Sequence, residues 1–188
     1  MILLASRSPQ RRALLATLGV DFRVVVADVE EGDDPLDNAR AKARDVASRL
    51  GVPPGGAVMG VDTEVLLEGR ALGKPADHGK ALWGLRELSG RTHLVRTAVC
   101  LVTARGERPI VDDARVVFRT LSEDLVRWYA ATGEWRDRAG GYAIQGAGAA
   151  LVERVEGDPT TIIGLPVGAV AALLEDLGLA PWSGGDDD

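Results

Sequence analysis

Apolar and polar positions along the chain follow two alternating periods. Ile2 to Ala5 is a short, continuous apolar run of the kind a buried strand shows. Ser8-Pro9 then predicts a helix start, with serine as N-cap and proline at the first helical position. Leu14, Leu15 and Leu18 give that helix an apolar stripe, and Gly19 stops it. Valine-rich Phe22 to Ala27 reads as a second strand. Leu36, Ala39, Ala43, Val46, Ala47 and Leu50 fall on one side of an amphipathic helix over Pro35 to Leu50. Ala57 to Val61 is a buried-type strand ending in Asp62, and Val65-Leu66-Leu67 and Ala71-Leu72 flank a hairpin turn at Glu68-Gly69-Arg70. A helix over Asp77 to Leu88 is followed by a long antiparallel pair, Thr92 to Thr103 and Ile110 to Arg119. Ser122 caps a helix over Glu123 to Ala131, Ala149 to Val155 reads as a strand, and Pro166 to Leu177 as the last helix. Helices and strands mix without strict alternation and without repeats. That predicts an α/β fold with a mixed sheet.

A chain of 188 residues suits one domain, or two tightly fused lobes around a cleft. No linker is visible, so residues 1–180 are expected to form a single domain, followed by a mobile acidic tail over 181–188. Hydrophobic residues make up 46% and charged residues 27%, which excludes a disordered or collagen-like chain. The single cysteine, Cys100, excludes an internal disulfide and cysteine-cluster metal sites, and fits a reducing compartment. A net charge of −6 argues against a nucleic-acid coat protein. A polyanionic substrate would need a local positive pocket or a divalent cation. The apolar N-terminus is followed at once by Arg7, Arg11 and Arg12, the reverse of a signal peptide, and no apolar run is long enough to cross a bilayer. The expected location is cytoplasmic, without a membrane partner.

Several segments carry candidate chemistry. In Ser6-Arg7-Ser8-Pro9-Gln10-Arg11 a strand runs into a helix N-terminus rich in serine and arginine, where free N–H groups favour an anion; a merely capped helix with solvated arginines explains it as well. Asp62-Thr63 follows an apolar strand, at the sheet end where ligands collect in α/β folds, though a turn aspartate reads the same way. Glu30 and Glu31 follow another strand end, and carboxylates from separate strand ends could share Mg²⁺; a solvated acidic loop is the plainer account. Among 22 basic residues only Lys42, Lys74 and Lys80 are lysines, so Lys42 and Lys74 mark places where a compact ammonium is used. The run Ala139 to Gly148 is small-residue rich and contains Gln145, a donor and acceptor, but it is neither a phosphate-binding P-loop nor a dinucleotide fingerprint. His78 and His93 fit no metal-ligand spacing, and Cys100 reads as a buried apolar residue.

Taken in order, these segments resemble the Maf family of nucleoside triphosphate pyrophosphatases. The resemblance runs from Leu3 to Leu177. It rests on Leu4-Ala5-Ser6-x-Ser8-Pro9-x-Arg11, Val29-Glu30-Glu31, Ala39-x-x-Lys42-Ala43, Gly60-x-Asp62-Thr63, Leu72-Gly73-Lys74-Pro75, Leu88-Ser89-Gly90-x-x-His93 and Gly140-Gly141-Tyr142-x-Ile144-Gln145-Gly146. It implies a two-lobed fold related to the inosine triphosphate pyrophosphatases, with a long bent sheet and flanking helices. It implies hydrolysis of an NTP or dNTP to the monophosphate and pyrophosphate as house-cleaning of noncanonical or excess nucleotides, with a divalent metal, Mg²⁺ first and Mn²⁺ or Co²⁺ as alternatives. Carried over, Asp62 is the general base and, with Glu30, the metal ligand. Ser8, Arg11, Lys42 and Lys74 surround the phosphates, and Thr63 and Gln145 match positions that distinguish base preference, those of the dTTP/UTP branch. Gln10 stands where the commonest family form has arginine, Glu64 where an apolar residue is usual, and Ala114 where threonine is common. Gln10 is therefore a further candidate for base specificity, toward a broader set of nucleotides. The competing reading is a non-catalytic, nucleotide-binding regulator of septum formation. The nucleoside triphosphate is the expected partner, and a homodimer is the one protein assembly considered.

Overall fold

A computed structural model of the chain describes residues 1–183. Along it follow β1 (Ile2–Ala5), α1 (Pro9–Thr17), β2 (Phe22–Val24), α2 (Pro35–Leu50), β3 (Ala57–Leu67), β4 (Arg70–Ala71), α3 (His78–Leu88), β5 (Thr92–Thr103), β6 (Gly106–Phe118), α4 (Glu123–Thr132), β7 (Val152–Glu156), α5 (Pro159–Ile163) and α6 (Val167–Asp176). The strands form one mixed sheet in the order β2-β1-β3-β5-β6-β7, with β4 paired to β3. β1 is parallel to β2 and β3, whereas β3–β4 and β6–β7 are antiparallel. The expected mixed α/β class is the one observed.

The chain divides into two compact units. The first holds Met1–Asp62, Thr97–Asp112 and the segment from Gly164 onward; the second holds Thr63–Arg96 and Asp113–Ile163. The chain passes between them inside β3, β5 and β6 and again at the Ile163–Gly164 junction after α5, so no long linker marks the division in the sequence. Of the expected tail, residues 184–188 lie outside the described residues. Residues 181–183 form a turn, in which Ser183 N–H donates to the Ala180 carbonyl at 3.0 Å and Trp182 Nε1 donates to Glu175.

In the first unit β1 is buried on both faces, as its unbroken apolar run requires. Ile2 and Leu4 pack with Leu15, Met59, Val170 and Leu174, while Leu3 and Ala5 pack with Ala43, Val46 and Val58. Each such leucine contributes on the order of 2 kcal/mol by burial. α2 lies directly on β3: a Cβ added at Gly60 would stand 1.9 Å from the Ala39 carbonyl oxygen. Only glycine permits that approach, and with Ala39 and Ala43 opposite it brings the helix backbone down onto the strand.

Several elements differ from their sequence pattern. β3 does not end at Asp62 but continues to Leu67, because the polar side chain that looked like a stop is satisfied by α2. β2 stops at Val24; past Val25, Asp28 N–H is taken by Asp45 Oδ2 at 3.0 Å. The strand expected from Ala149 starts at Val152, after a 3₁₀ turn over Ala147–Leu151.

The second unit is built on Val65, Leu67, Leu85, Leu88, Val116, Phe118, Tyr129 and Leu151. His93 is buried there, with Nε2 2.8 Å from the Tyr142 hydroxyl and its ring edge-on to Phe118 at 5.0 Å. Nδ1 has no hydrogen-bond partner among the described residues. Protonation would place an N–H on both nitrogens, one facing no acceptor, and burial lowers the His93 pKa to about 4. The unfolded histidine titrates near 6.5, so this stabilisation is complete above that pH and is lost as pH falls toward 4. The expected loss is about 3 kcal/mol across that window. Urea unfolding at stepped pH should show it, and His93→Gln should flatten the slope; an unchanged slope in the variant would assign acid sensitivity elsewhere.

Candidate functional site

The site residues of the first unit converge on Asp62. Its Oδ1 accepts from Lys42 Nζ at 2.7 Å and its Oδ2 from Asn38 Nδ2 at 3.0 Å. Lys42 Nζ also pairs with Glu31 Oε1 at 2.7 Å and lies 3.4 Å from the Val61 carbonyl oxygen. Asn38 and Lys42 are four residues apart on α2, on one helix face, and both are buried. Asn38 also binds the Gly32 backbone in both directions, accepting its N–H at 2.7 Å and donating to its carbonyl at 2.9 Å. The acidic loop is thereby tied to the helix that holds Asp62.

Arg11 reaches the same strand from α1. Its Nη1 donates to the Val61 carbonyl at 2.9 Å and to Ser6 Oγ at 3.4 Å, and its Nε to the Gly164 carbonyl at 3.1 Å. Burial lowers the Arg11 pKa, while the Asp62 and Glu31 carboxylates raise it. Ser8 caps α1: its Oγ accepts Arg11 N–H at 3.3 Å and donates to Gln10 Oε1 at 3.0 Å. Gln10, the further candidate for base specificity, thereby accepts from the cap of its own helix.

In the second unit Thr63 follows Asp62 directly along β3 and is half-buried. Lys74 is exposed and lines a cavity of ≈ 260 Å³ with Arg70, Lys80 and Trp83. The Arg70 guanidinium carbon lies over the Trp83 ring, 5.3 Å from its centre. Gln145 is exposed in the turn between Ala143 and Gly146.

The expected metal pair was Asp62 with Glu30. Glu30 is exposed, and the carboxylate drawn to the Lys42 ammonium is Glu31. Among the described residues no group of three or more His, Cys, Asp or Glu side chains stands close enough to cage a metal. Two hard carboxylates, Glu31 and Asp62, meet at the Lys42 ammonium, an oxygen-donor pair of the kind a hard divalent cation takes together with waters and substrate phosphate oxygens. Sequence reasoning missed Asn38. The signal for Asn38 was a polar side chain on the apolar stripe of α2, four residues before Lys42. Among the described residues no helix is long and apolar enough to cross a membrane.

Comparison with known proteins adds the context for this geometry. The dTTP/UTP pyrophosphatase of Thermus thermophilus is 49% identical over 181 residues, covering 96% of this chain and 96% of its own. That of Deinococcus radiodurans is 45% identical over 188 residues, covering 96% and 95%. A HAM1 protein from Coxiella burnetii aligns with a TM-score of 0.47 at 19% identity, over 62% of this chain and 72% of its own. The family described as Maf-like protein matches residues 1–177, and with relatives this similar over nearly the whole length, the chain belongs to the Maf family.

Proposed function

We propose that this protein hydrolyses nucleoside triphosphates to the monophosphate and pyrophosphate, with dTTP and UTP preferred, in the house-cleaning role of a nucleotide pyrophosphatase. The observation that carries the reading is Asp62 held at both carboxylate oxygens, by Lys42 at 2.7 Å and by Asn38 at 3.0 Å. A carboxylate so fixed cannot rotate away from an attacking water, and it takes that water's proton as the oxygen adds to the α-phosphorus. The bond from the α-phosphorus to the bridging oxygen breaks, and pyrophosphate leaves with that oxygen. Asp62 and Glu31 would hold a divalent cation, Mg²⁺ foremost, which would supply charge neutralisation at the phosphates. Arg11 keeps a fixed positive charge beside the carboxylates, and the capped α1 end with Ser8 faces phosphate with its dipole. Thr63 and Gln145 carry the base preference. This catalytic reading displaces that of a non-catalytic regulator.

A panel of ribo- and deoxyribonucleoside triphosphates with Mg²⁺, followed by ³¹P NMR of the products, tests the proposal. Monophosphate and pyrophosphate, formed fastest from dTTP and UTP, are expected. Orthophosphate as first product defeats the reaction assignment, and a fastest purine substrate defeats the base assignment.

Lys74 belongs to the phosphates in this reading. Its ammonium is exposed and makes no ion pair with any described residue, so it is free to meet substrate charge. Lys74→Ala should lower kcat/KM about 10- to 100-fold, the scale of one charge-assisted hydrogen bond, equally for every nucleotide. A loss confined to one base would place Lys74 in base recognition instead.

A further inference from the structure

The turn that carries Gln145 is clamped from both sides by α4 and the residues after it. Ala143 N–H donates to the Tyr129 hydroxyl at 3.0 Å, and the turn closes with Gly146 N–H on the Ala143 carbonyl at 3.1 Å. On the far side Glu134 accepts two successive backbone donors: Ala147 N–H on Oε1 at 3.0 Å and Gly148 N–H on Oε2 at 3.3 Å. Glu134 is itself fixed, its N–H donating to Thr132 Oγ1 at 3.1 Å and its carbonyl accepting from Arg138 Nε at 2.7 Å. The chain accommodates this carboxylate at a specific place: a Cβ added at Gly146 would stand 2.5 Å from Glu134 Oε1. Glycine at 146 therefore answers to the carboxylate beneath it, which explains part of the small-residue run over Ala139 to Gly148.

From this arrangement we infer that Glu134 is a positioning residue for base selection: its carboxylate fixes the turn that presents Gln145, without touching the nucleotide itself. The inference rests on the reading of Gln145 as a base-recognition residue. A two-acceptor clamp on consecutive N–H groups leaves the turn one arrangement. A side chain meant to discriminate bases by hydrogen bonds needs that fixity, because a loose donor and acceptor satisfies several base edges equally. Glutamine at 134 would keep one acceptor and oppose the second N–H with its own amide, so it weakens the clamp without emptying the site.

Full-length wild type, Glu134→Gln, Glu134→Ala, Gln145→Ala and the double variant Glu134→Ala/Gln145→Ala provide the test, with kcat and KM measured for dTTP, UTP, dCTP and dGTP and a melting curve for each protein. Gln145→Ala should lower the dTTP-to-dGTP ratio of kcat/KM about tenfold. Glu134→Ala should lower it comparably, with the loss falling on KM for dTTP, and Glu134→Gln should fall between. The double variant should be no less selective than Gln145→Ala alone, because the clamp has nothing left to present. Unchanged ratios in both Glu134 variants, with altered ratios in Gln145→Ala, overturn the positioning role and leave the base assignment standing. Unchanged ratios in Gln145→Ala overturn the base assignment beneath it. If Glu134→Ala does not fold, Glu134→Gln decides alone, since a lowered melting temperature with intact ratios is the mark of a purely structural residue.

Discussion

Asp62→Asn should lose turnover by about 10²- to 10⁴-fold on every nucleotide while remaining folded. The amide keeps the size of the carboxylate, and its oxygen can still accept from Lys42, which stays paired with Glu31. Only the contact with Asn38 turns unfavourable, because two amide NH₂ groups would then face each other unless one flips. The structural cost is therefore small beside the loss of a proton acceptor at the water. Initial rates with dTTP and Mg²⁺, beside a melting curve, separate the two effects. A folded variant with near-normal turnover would remove Asp62 from the chemistry.

That Asp62 stood out at all owes something to a misreading. The polar run Asp62-Thr63-Glu64 looked like the end of a strand, and strand ends collect ligands; in fact β3 continues through it to Leu67. A polar residue inside a strand is stable here because α2 brings Asn38 and Lys42 to it, and the glycine that allows the helix so close, Gly60, lies only two residues earlier. Helices with a capping serine or aspartate and an apolar stripe were legible to the residue at one or both ends: α1 begins after Ser8 and α2 spans Pro35–Leu50. α5 was not, because five residues give no period to detect. The boundaries of the two units were not legible, since the chain changes unit inside β3, β5 and β6 and at the Ile163–Gly164 junction. Adjacent Glu30 and Glu31 could not be told apart in an acidic loop without periodicity, and only the Lys42 contact distinguishes them. Arg11 was legible as a special arginine by its helix-start motif. Its bonds to two backbone carbonyls, one more than 150 residues away in sequence, are a tertiary fact that no local pattern carries.

Lys42→Met should cost both stability and activity, and the balance between the two identifies what the lysine does. Lys42 is buried, and its Nζ serves Asp62 and Glu31 at 2.7 Å each. Methionine fills the same volume and removes the only cation bonded to both carboxylates among the described residues. Breaking a buried ion pair by removing one partner costs about 3–5 kcal/mol, because the other charge is left in a poor solvent. The lower end is expected here, since Glu31 is half exposed and can turn to water while Asp62 keeps its bond from Asn38. Asp62, released on one side, can then rotate about its side-chain torsions. Turnover of the folded fraction should fall by about 10²-fold or more, the scale for a misaligned proton acceptor. The double variant Asp62→Asn/Lys42→Met should be scarcely less active than Asp62→Asn, because a group that acts by holding Asp62 has no further effect once the carboxylate is gone. Urea midpoints and kcat measured on the same preparations decide the matter. Additive losses in the double variant would mean that Lys42 meets the phosphates on its own account, and a stability loss with unaltered kcat would leave it a purely structural counter-ion.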